Sequence, residues 1–369
     1  MRNPPAVAII LVVNARTLSR SDIVVLAGSA AAIAAAGVAR YTDVPAVLAF
    51  VVAGLAVALL ASVVGRSVEQ LGDRFGPGAT GVLQSALGNL PELFIGFFAL
   101  KAGLVAVVQA AIIGSILSNI LLVLGLAFVV GGLKHGTQRF DSNRARTSTV
   151  LMVLATAALV LPSLAQYVHT PAATHEKTLS LIVSVILLAV FVLSLPAALK
   201  RTAKPAGAAE EPAEEAARWP LWLAVSLLTG ASVAAALVSD WFVNALEPAI
   251  DALGISQAFA GLVIVAIAGN AIENVVGIQL AFRNKADFAM AVIIQSPLQV
   301  ALVLAPALVL LSLLTATTLT LVFAPMLVVA VCITVVAVAF IVFDGESTWL
   351  EGSTLIALYA IIATAFWWG

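Results

Sequence analysis

Long apolar segments are the feature that most strongly constrains how this chain can fold. The hydrocarbon core of a bilayer is about 30 Å thick, and a helix needs about 20 apolar residues to cross it. With 62% hydrophobic and only 10% charged residues, the chain contains many such segments. A segment that spans a bilayer must satisfy its own backbone hydrogen bonds, as an α-helix does. These apolar segments therefore predict an all-α polytopic membrane protein. The eleven predicted transmembrane helices cover residues 22–39, 45–68, 80–100, 105–131, 147–168, 178–199, 219–241, 256–281, 287–314, 318–343 and 352–368.

Lysine and arginine are distributed unevenly between the predicted loops. If the N-terminus is cytoplasmic, 15 of the 18 basic residues lie in cytoplasmic segments, and only Arg40, Lys101 and Lys177 lie outside. Cytoplasmic loops of membrane proteins carry this kind of excess. The distribution predicts a cytoplasmic N-terminus, an external C-terminus and a location in the cell (plasma) membrane.

An internal repeat with a constant offset of 181 residues is the next constraint. The Gly-Asn-x-x-Glu signature at 88–92 recurs at 269–273, and Ser115 in the following helix recurs as Ser296. Five predicted helices separate equivalent positions, so the two copies cross the membrane in opposite directions. Inverted repeats of this kind are typical of secondary transporters. The predicted fold is one helix followed by two inverted five-helix repeats.

This layout predicts four parts of the chain. Residues 1–44 hold the N-terminal segment and first helix, 45–199 the first repeat with helices two to six, and 219–369 the second repeat with helices seven to eleven. Residues 200–218, rich in Ala, Pro and Glu, are predicted to be a cytoplasmic acidic linker. A solvated linker is the favoured interpretation, because charge runs usually are solvated; a regulatory cation sensor is the alternative.

Two glutamates near the middle of apolar helices indicate the chemistry. An ionised carboxylate at this depth costs several kcal/mol unless it is paired or protonated. The same helices offer no embedded lysine or arginine, so the carboxylates can be protonated or can surround a divalent cation. Oxygen-only ligands suit Ca²⁺, and no sulfur or imidazole is present for Zn²⁺ or Cu²⁺. The predicted cation ligands are Glu92, Glu273, Asn89, Asn270 and the backbone at Gly88 and Gly269.

Further polar side chains lie on the same helices and their partners. They are predicted to line the ion path, and the alternative is that they form hydrogen bonds between packed helices. The predicted path residues are Gln109, Ser115, Asn119, Gln295, Ser296 and Gln299.

Other functional classes find little support in the sequence. Cys332 is the single cysteine, and His135, His169 and His175 fall in predicted loops. No nucleophile–histidine pair and no ATP-binding P-loop motif is present, so neither an enzyme nor an ATP-driven pump is predicted. No cofactor and no nucleic-acid partner is predicted; the partners are the bilayer and the transported ions. A cation channel with the glutamates as its selectivity site remains an alternative.

Both repeat segments resemble the α-repeats of the calcium/cation antiporter superfamily. They read GNLPELFIGFFALKAGLVAVVQAAIIGSILSNILLVLG from Gly88 and GNAIENVVGIQLAFRNKADFAMAVIIQSPLQVALVLAP from Gly269. The branch they resemble most is the Ca²⁺/H⁺ antiporters, the CAX family, which the segment LGLAFVVGGLKHGTQRF also resembles. The likeness is tightest over residues 45–146 and 255–306.

This resemblance implies specific roles. In that family the glutamate of each signature binds Ca²⁺, which implies Glu92 and Glu273 here, and backbone near 88–89 and 269–270 supplies carbonyl ligands. The second and seventh helices slide as a gate against a scaffold of the other eight. The implied function is secondary active antiport by alternating access, with export of Ca²⁺ from the cytoplasm in exchange for H⁺.

The sequence also departs from the family pattern. Leu90 and Pro91 precede Glu92 where the first signature usually has Ala and one further residue, and Asn274 replaces a histidine after the second signature. Residues 295–299 are a variant of the usual Gly-Ser-Ser-x-Gln. The acidic residue that sodium-coupled relatives carry in the second repeat is Val300 here, which favours protons over Na⁺. A related exchanger of Na⁺, K⁺ or Mn²⁺ against H⁺ is the alternative.

Overall fold

The structure, a computed structural model, describes residues 18–75, 83, 87–200 and 218–368, except the side chains of 75, 143–144, 195–200 and 272–273. Its described residues are almost entirely helical, which confirms the predicted all-α membrane fold. In chain order, the main helices α1 to α12 are Arg20–Tyr41, Ala46–Phe75, Leu90–Lys101, Val105–His135, Ser142–Tyr167, Glu176–Lys200, Leu221–Leu253, Gln257–Gly269, Ala271–Phe282, Ala286–Leu314, Pro325–Asp344 and Trp349–Ala365. One short antiparallel pair joins β1, Gln138–Arg139, to β2, Glu346–Ser347.

Most predicted spans coincide with a helix. Within the described ranges, eight helices are long and apolar enough to cross a membrane, and α8 with α9 forms a ninth span bent by 63°. The shorter α12 has 17 residues. Most of the N-terminal half of the third predicted span, and residues 201–217 of the predicted linker, lie outside the described residues.

The backbone repeats with the same 181-residue offset as the sequence. The helical backbone is interrupted at Asn89, just before α3, where φ is −90° and ψ is 14°. It is interrupted in the same way at Asn270, just before α9, where φ is −95° and ψ is 14°. The turns after α3 and α9 both contain a positive φ, of 83° at Gly103 and 60° at Asn284. A wide π-helical turn occurs in α4 at Ser118–Val123 and in α10 at Val300–Leu304. The two repeats therefore share their irregular backbone features.

Helices of each repeat pack against helices of the other repeat. α3 of the first repeat packs on α7 of the second, and α9 packs on α2; likewise α12 packs on α4, and α6 on α10. Close approach of α4 and α8 depends on glycine, because a methyl group on Gly114 would lie 2.2 Å from the Leu262 carbonyl oxygen. Small residues at such crossings let membrane helices come together. Each half of the molecule thus completes the other.

Consecutive helices joined by short loops run in opposite directions, which defines two faces. The face called basic here carries two ion pairs, Arg66 with Asp22 at 2.6 Å and Arg139 with Glu346 at 3.0 Å. Its helix ends lie near residues 20, 74, 135–142, 221, 282–286 and 344–349. The opposite face has helix ends near residues 41–46, 101–105, 167–176, 253–257, 314–325 and 365.

Each face has a loop that covers the helical hairpin of the other repeat. On the basic face, residues 136–141 form the basic-face cover, where Gln138 Nε2 donates to the Ala281 carbonyl at 3.1 Å. On the other face, residues 315–324 form the opposite-face cover, where Thr317 Oγ1 donates to the Leu100 carbonyl at 2.6 Å. Leu100 and Ala281 are themselves separated by 181 residues, so the covers are equivalent parts of the two repeats.

The opposite-face cover corrects one predicted boundary. A span was predicted over 318–343, but α11 begins at Pro325 and the residues from 315 to 324 are not helical. Ser163 Oγ donates to the Leu321 carbonyl at 3.0 Å, and the Leu321 amide donates to Ser180 Oγ at 3.0 Å. Non-helical backbone at membrane depth is tolerated only where protein satisfies its polar groups, and these side chains do so.

Candidate cation site

Broken helices place the signature glutamates at helix N-termini. α3 begins at Leu90 after the turn at 88–89, so Glu92 is its third residue and Pro91 its second. At that position the missing proline N–H costs no helical hydrogen bond. α9 begins at Ala271, which makes Glu273 its third residue, although the Glu273 side chain lies outside the described residues. The positive end of the helix dipole stabilises a carboxylate in the first turn.

Glu92 receives hydrogen bonds from both repeats. Its side chain is buried, with 8% of its surface exposed. Ser115 Oγ, on α4 of the same repeat, donates to Glu92 Oε1 at 3.0 Å. Asn270 Nδ2, from the helix break of the second repeat, donates to the same oxygen. One carboxylate oxygen therefore joins the two halves of the molecule.

The orientation of the Asn270 amide follows from its other partners. Its Nδ2 also donates to the Ala266 carbonyl at 3.1 Å, and its Oδ1 accepts from Ser296 Oγ at 3.1 Å. A carbonyl oxygen can only accept a hydrogen bond, so the NH₂ group must face Ala266 and Glu92. In this arrangement Asn270 holds Glu92 in place, and its own carboxamide oxygen points towards α10.

Gly269 brings backbone directly against the Glu92 side chain. A methyl group built at Gly269 would lie 2.5 Å from Glu92 Cγ and 2.8 Å from Oε1. Carbon atoms in ordinary contact are about 3.5–4.0 Å apart. Only glycine at position 269 leaves the carboxylate where it is.

Among the remaining predicted residues, Asn89, Gln299 and Asn119 are buried. Asn89 Nδ2 donates to Gln299 Oε1 at 3.3 Å, and both side chains are buried. Asn119, which is fully buried, donates from Nδ2 to the Ser115 carbonyl at 2.8 Å, one turn below the Ser115 hydroxyl that reaches Glu92.

Gln109 and Gln295 are placed differently. Gln109 Nε2 donates to the Thr320 carbonyl at 3.1 Å and to the Val322 carbonyl at 2.8 Å, so it binds the opposite-face cover. Gln295 is exposed. A role for either glutamine in the ion path stays a prediction.

A narrow cavity runs from the carboxylate towards the opposite face. Glu92 and Ser115 line its inner end, and Ala99 and Val107 line it near the α3–α4 turn. Leu308 of α10 lines the same cavity, so both repeats contribute. The sequence did not predict that these apolar residues line a cavity, because nothing distinguishes them from the other apolar residues of the spans. The one signal that could have indicated them is their spacing along the helices from the polar residue Ser115.

Two inverted repeats with a helix break beside a buried carboxylate define a secondary transporter. The chain belongs to the sodium/calcium exchanger protein family, whose model matches residues 45–200 and 223–368. The family resemblance predicted from the two signatures is thereby confirmed.

Several relatives are similar along most of their length. The Ca²⁺/H⁺ antiporter of Synechocystis is 37% identical over 334 residues, which covers 86% of this chain and 90% of that protein. The Ca²⁺/H⁺ antiporter ChaA of Bacillus subtilis is 37% identical, with 87% of this chain and 92% of ChaA covered. The solved structure of native YfkE superposes with a TM-score of 0.79 at 33% identity, covering 93% of this chain and 99% of YfkE.

Proposed function

We propose that this protein is a secondary active antiporter that exports Ca²⁺ from the cytoplasm in exchange for H⁺ by alternating access. The observation that carries the proposal is Glu92, a buried carboxylate at a helix N-terminus whose Oε1 accepts hydrogen bonds from Ser115 and Asn270 of opposite repeats. The Ca²⁺/H⁺ antiporters named above support the choice of ions.

The exchange follows from the two inexpensive states of a buried carboxylate. Glu92 can be neutral with a proton, which belongs on Oε2 because Oε1 already accepts two hydrogen bonds. It can also be ionised next to a cation, which removes the cost of an isolated charge in the membrane. A cation and a proton therefore compete for the same group, so entry of one expels the other. Glu273, at the equivalent position of α9, is proposed as the second carboxylate of the site.

Ca²⁺ fits the oxygen chemistry around Glu92. Ca²⁺ takes six to eight oxygen ligands in flexible geometry. The backbone at Gly88 and Gly269 and the amides of Asn89 and Asn270 are proposed as additional ligands. Because Asn270 Oδ1 faces Ser296 in this structure, its use as a ligand requires the amide to turn over.

A related exchanger of Na⁺, K⁺ or Mn²⁺ against H⁺ is the second candidate. Val300, fully buried in the π-helical turn of α10, lies at the position equivalent to Asn119 in α4. A carboxylate there would add a negative charge suited to further Na⁺ ions, and valine adds none. This residue favours protons as the counter-ions.

The proposed orientation places the basic face in the cytoplasm of the cell, with the N-terminus on that side and the C-terminus outside. The excess of lysine and arginine at the basic face supports it. In this orientation Ca²⁺ enters the site from the basic face and leaves at the opposite face.

Transport in inside-out membrane vesicles tests the proposal. With a proton gradient imposed, radioactive Ca²⁺ uptake is expected for the parent protein, and Glu92→Gln and Glu273→Gln are expected to abolish it. Glutamine keeps the shape of the side chain but cannot bind or release a proton. Glu247→Gln, the same change at an exposed position of α7, is the matched control and is expected to transport normally.

Three results would count against this function. Uptake that ignores the proton gradient would refute antiport, and uptake that proceeds down a Ca²⁺ gradient without proton movement would indicate a channel. Transport that survives both glutamine substitutions would refute the site. Competition by Na⁺, K⁺ or Mn²⁺ at concentrations below that of Ca²⁺ would favour the second candidate.

A further inference from the structure

Basic side chains gather where α4 and α9 end at the basic face. Lys134 and His135 belong to the last turn of α4, and Arg283 and Lys285 follow the end of α9 directly. Lys134 Nζ donates to the Phe282 carbonyl at 3.2 Å, and His135 Nε2 lies 2.9 Å from the same oxygen. The two helix ends are therefore in contact. The four basic residues, all of them exposed, are called the cationic corner here.

The charges of this corner remain available to a partner. An ammonium group has three donors, and Lys134 uses one of them on the carbonyl at the end of α9. Within the described part of the chain, neither Arg283 nor Lys285 belongs to an ion pair. The nearest carboxylate along the chain is Asp287, which accepts a hydrogen bond from the Asp141 amide in the first turn of α10. Three permanent cations thus outnumber these two carboxylates.

Exposed apolar side chains border the cationic corner. Leu133 has 70% of its surface exposed, and Phe282 has 48%. The Lys134 ammonium lies 3.3 Å from the centre of the Phe282 ring. Trp349, whose backbone packs on Gly132, is 51% exposed, and tryptophan is enriched at the interface between membrane and water. Positive charge and apolar surface therefore meet at the level where lipid headgroups lie.

We propose that the cationic corner binds an anionic phospholipid, with its phosphate at Lys134 and Arg283 and its acyl chains against Leu133 and Phe282. The positive charges select an anionic headgroup over a zwitterionic one. The exposed apolar side chains select a lipid over a soluble anion, because a soluble anion leaves them uncovered. The bound lipid fastens the end of α4 to the end of α9. This inference does not depend on the proposed transport function.

Thermal unfolding of the full-length protein in detergent tests the lipid site. Short-chain phosphatidylglycerol is titrated, and phosphatidylcholine of the same chain length and inorganic phosphate are the reference probes. The test variant is Arg283→Gln with Lys285→Gln, which removes two charges that take part in no described ion pair. The matched control is Lys101→Gln with Lys177→Gln, which removes two exposed charges at the opposite face.

Phosphatidylglycerol is expected to raise the unfolding temperature of the parent and of the control, because a ligand that binds only the folded state stabilises it. Phosphatidylcholine and inorganic phosphate at the same concentration are expected to have little effect. The test variant is expected to bind phosphatidylglycerol about 25-fold more weakly, since each cation near an anionic surface contributes about fivefold. Added salt is expected to weaken binding to the parent.

Lys134→Gln is a second variant, and only its lipid-dependent shift is compared. Without lipid it should unfold at a lower temperature, because it loses a hydrogen bond and a ring contact. Its binding of phosphatidylglycerol should weaken about fivefold.

Several results would overturn the lipid site. Equal shifts by phosphatidylglycerol in the parent and in the variant without Arg283 and Lys285 would remove the corner from the site. Equal shifts by phosphatidylcholine would remove the charge selection, and equal shifts by inorganic phosphate would indicate a site for soluble anions. Tighter lipid binding after glutamine replaces the four glutamates of the linker would show that the linker occupies the corner; these are Glu210, Glu211, Glu214 and Glu215.

Discussion

Gly269→Ala is the sharpest test of how the two repeats meet at the site. The added methyl group would lie 2.5 Å from Glu92 Cγ and 2.8 Å from Oε1. Ordinary contacts between carbon atoms are about 3.5–4.0 Å, so either the break before α9 or the Glu92 side chain must move by about 1 Å. Oxygen ligands of Ca²⁺ lie within about 2.3–2.6 Å, so a shift of this size breaks a coordination bond.

The magnitude follows from the cost of overpacking. Extra methyl groups in a packed site cost about 1–3 kcal/mol. If this cost falls on the Ca²⁺-bound state, the Ca²⁺ concentration that gives half-maximal transport rises by about 5- to 150-fold, since each 1.4 kcal/mol is about tenfold. The expected effect of Gly269→Ala is therefore a large loss of apparent affinity with the fold retained.

Transport in proteoliposomes, measured over a range of Ca²⁺ concentrations, is the assay. Gly230→Ala is the matched control, because it makes the same change in a helix of the second repeat where a methyl group would meet no atom within 4 Å. Thermal unfolding in detergent separates loss of affinity from loss of fold. A Gly269→Ala protein whose apparent Ca²⁺ affinity equals that of Gly230→Ala would refute the close approach between Gly269 and Glu92.

Two further substitutions separate the site from its scaffold. Ser115→Ala removes one of the two donors to Glu92 Oε1. Because hydrogen bonds to charged groups are worth about 1.5–3 kcal/mol, the substitution should weaken apparent Ca²⁺ affinity by about tenfold or more in the same assay. An unchanged affinity would contradict the role of this bond. Gln109→Leu leaves the carbonyls of Thr320 and Val322 without the Gln109 donor. Each unsatisfied carbonyl costs about 1–3 kcal/mol of folding free energy, so the unfolding temperature should fall. The Ca²⁺ affinity of the folded protein should stay unchanged. An affinity change without a stability change would support the predicted role of Gln109 in the ion path and contradict a purely structural one.

The helix breaks could be predicted from the sequence because their cause is local. Glycine and asparagine at 88–89 and 269–270 interrupt helices, and a carboxylate three residues later reads as functional at membrane depth. Pro91 has a simpler explanation in the structure than in the sequence. Lying in the first turn of α3, it belongs to a new helix and does not distort an existing one.

The opposite-face cover could not be predicted because its cause is distant. Leu319, Leu321 and Phe323 are as apolar as the residues of any spanning helix, so hydropathy extended α11 over them. What holds this segment in a non-helical conformation is a set of hydrogen-bond donors and acceptors on other helices, among them Ser163, 158 residues earlier. For the same reason, the hydrogen bond from Gln109 to this cover could not be predicted: its sequence neighbours do not reveal a partner 211 residues away.

The two covers also fix the order in which the molecule can be completed during its synthesis. The turn after α9 finds its cover already made, because Gln138 precedes its partner Ala281 by 143 residues. The turn after α3 must wait, because Thr317 follows its partner Leu100 by 217 residues. A ribosome therefore delivers the first hairpin to the membrane long before the chain that finishes it. Until the opposite-face cover emerges, the Leu100 carbonyl keeps the hydrogen bond from the Gly103 amide in its own turn but lacks the one from the Thr317 hydroxyl. The first repeat therefore reaches its final packing only after most of the second has been made.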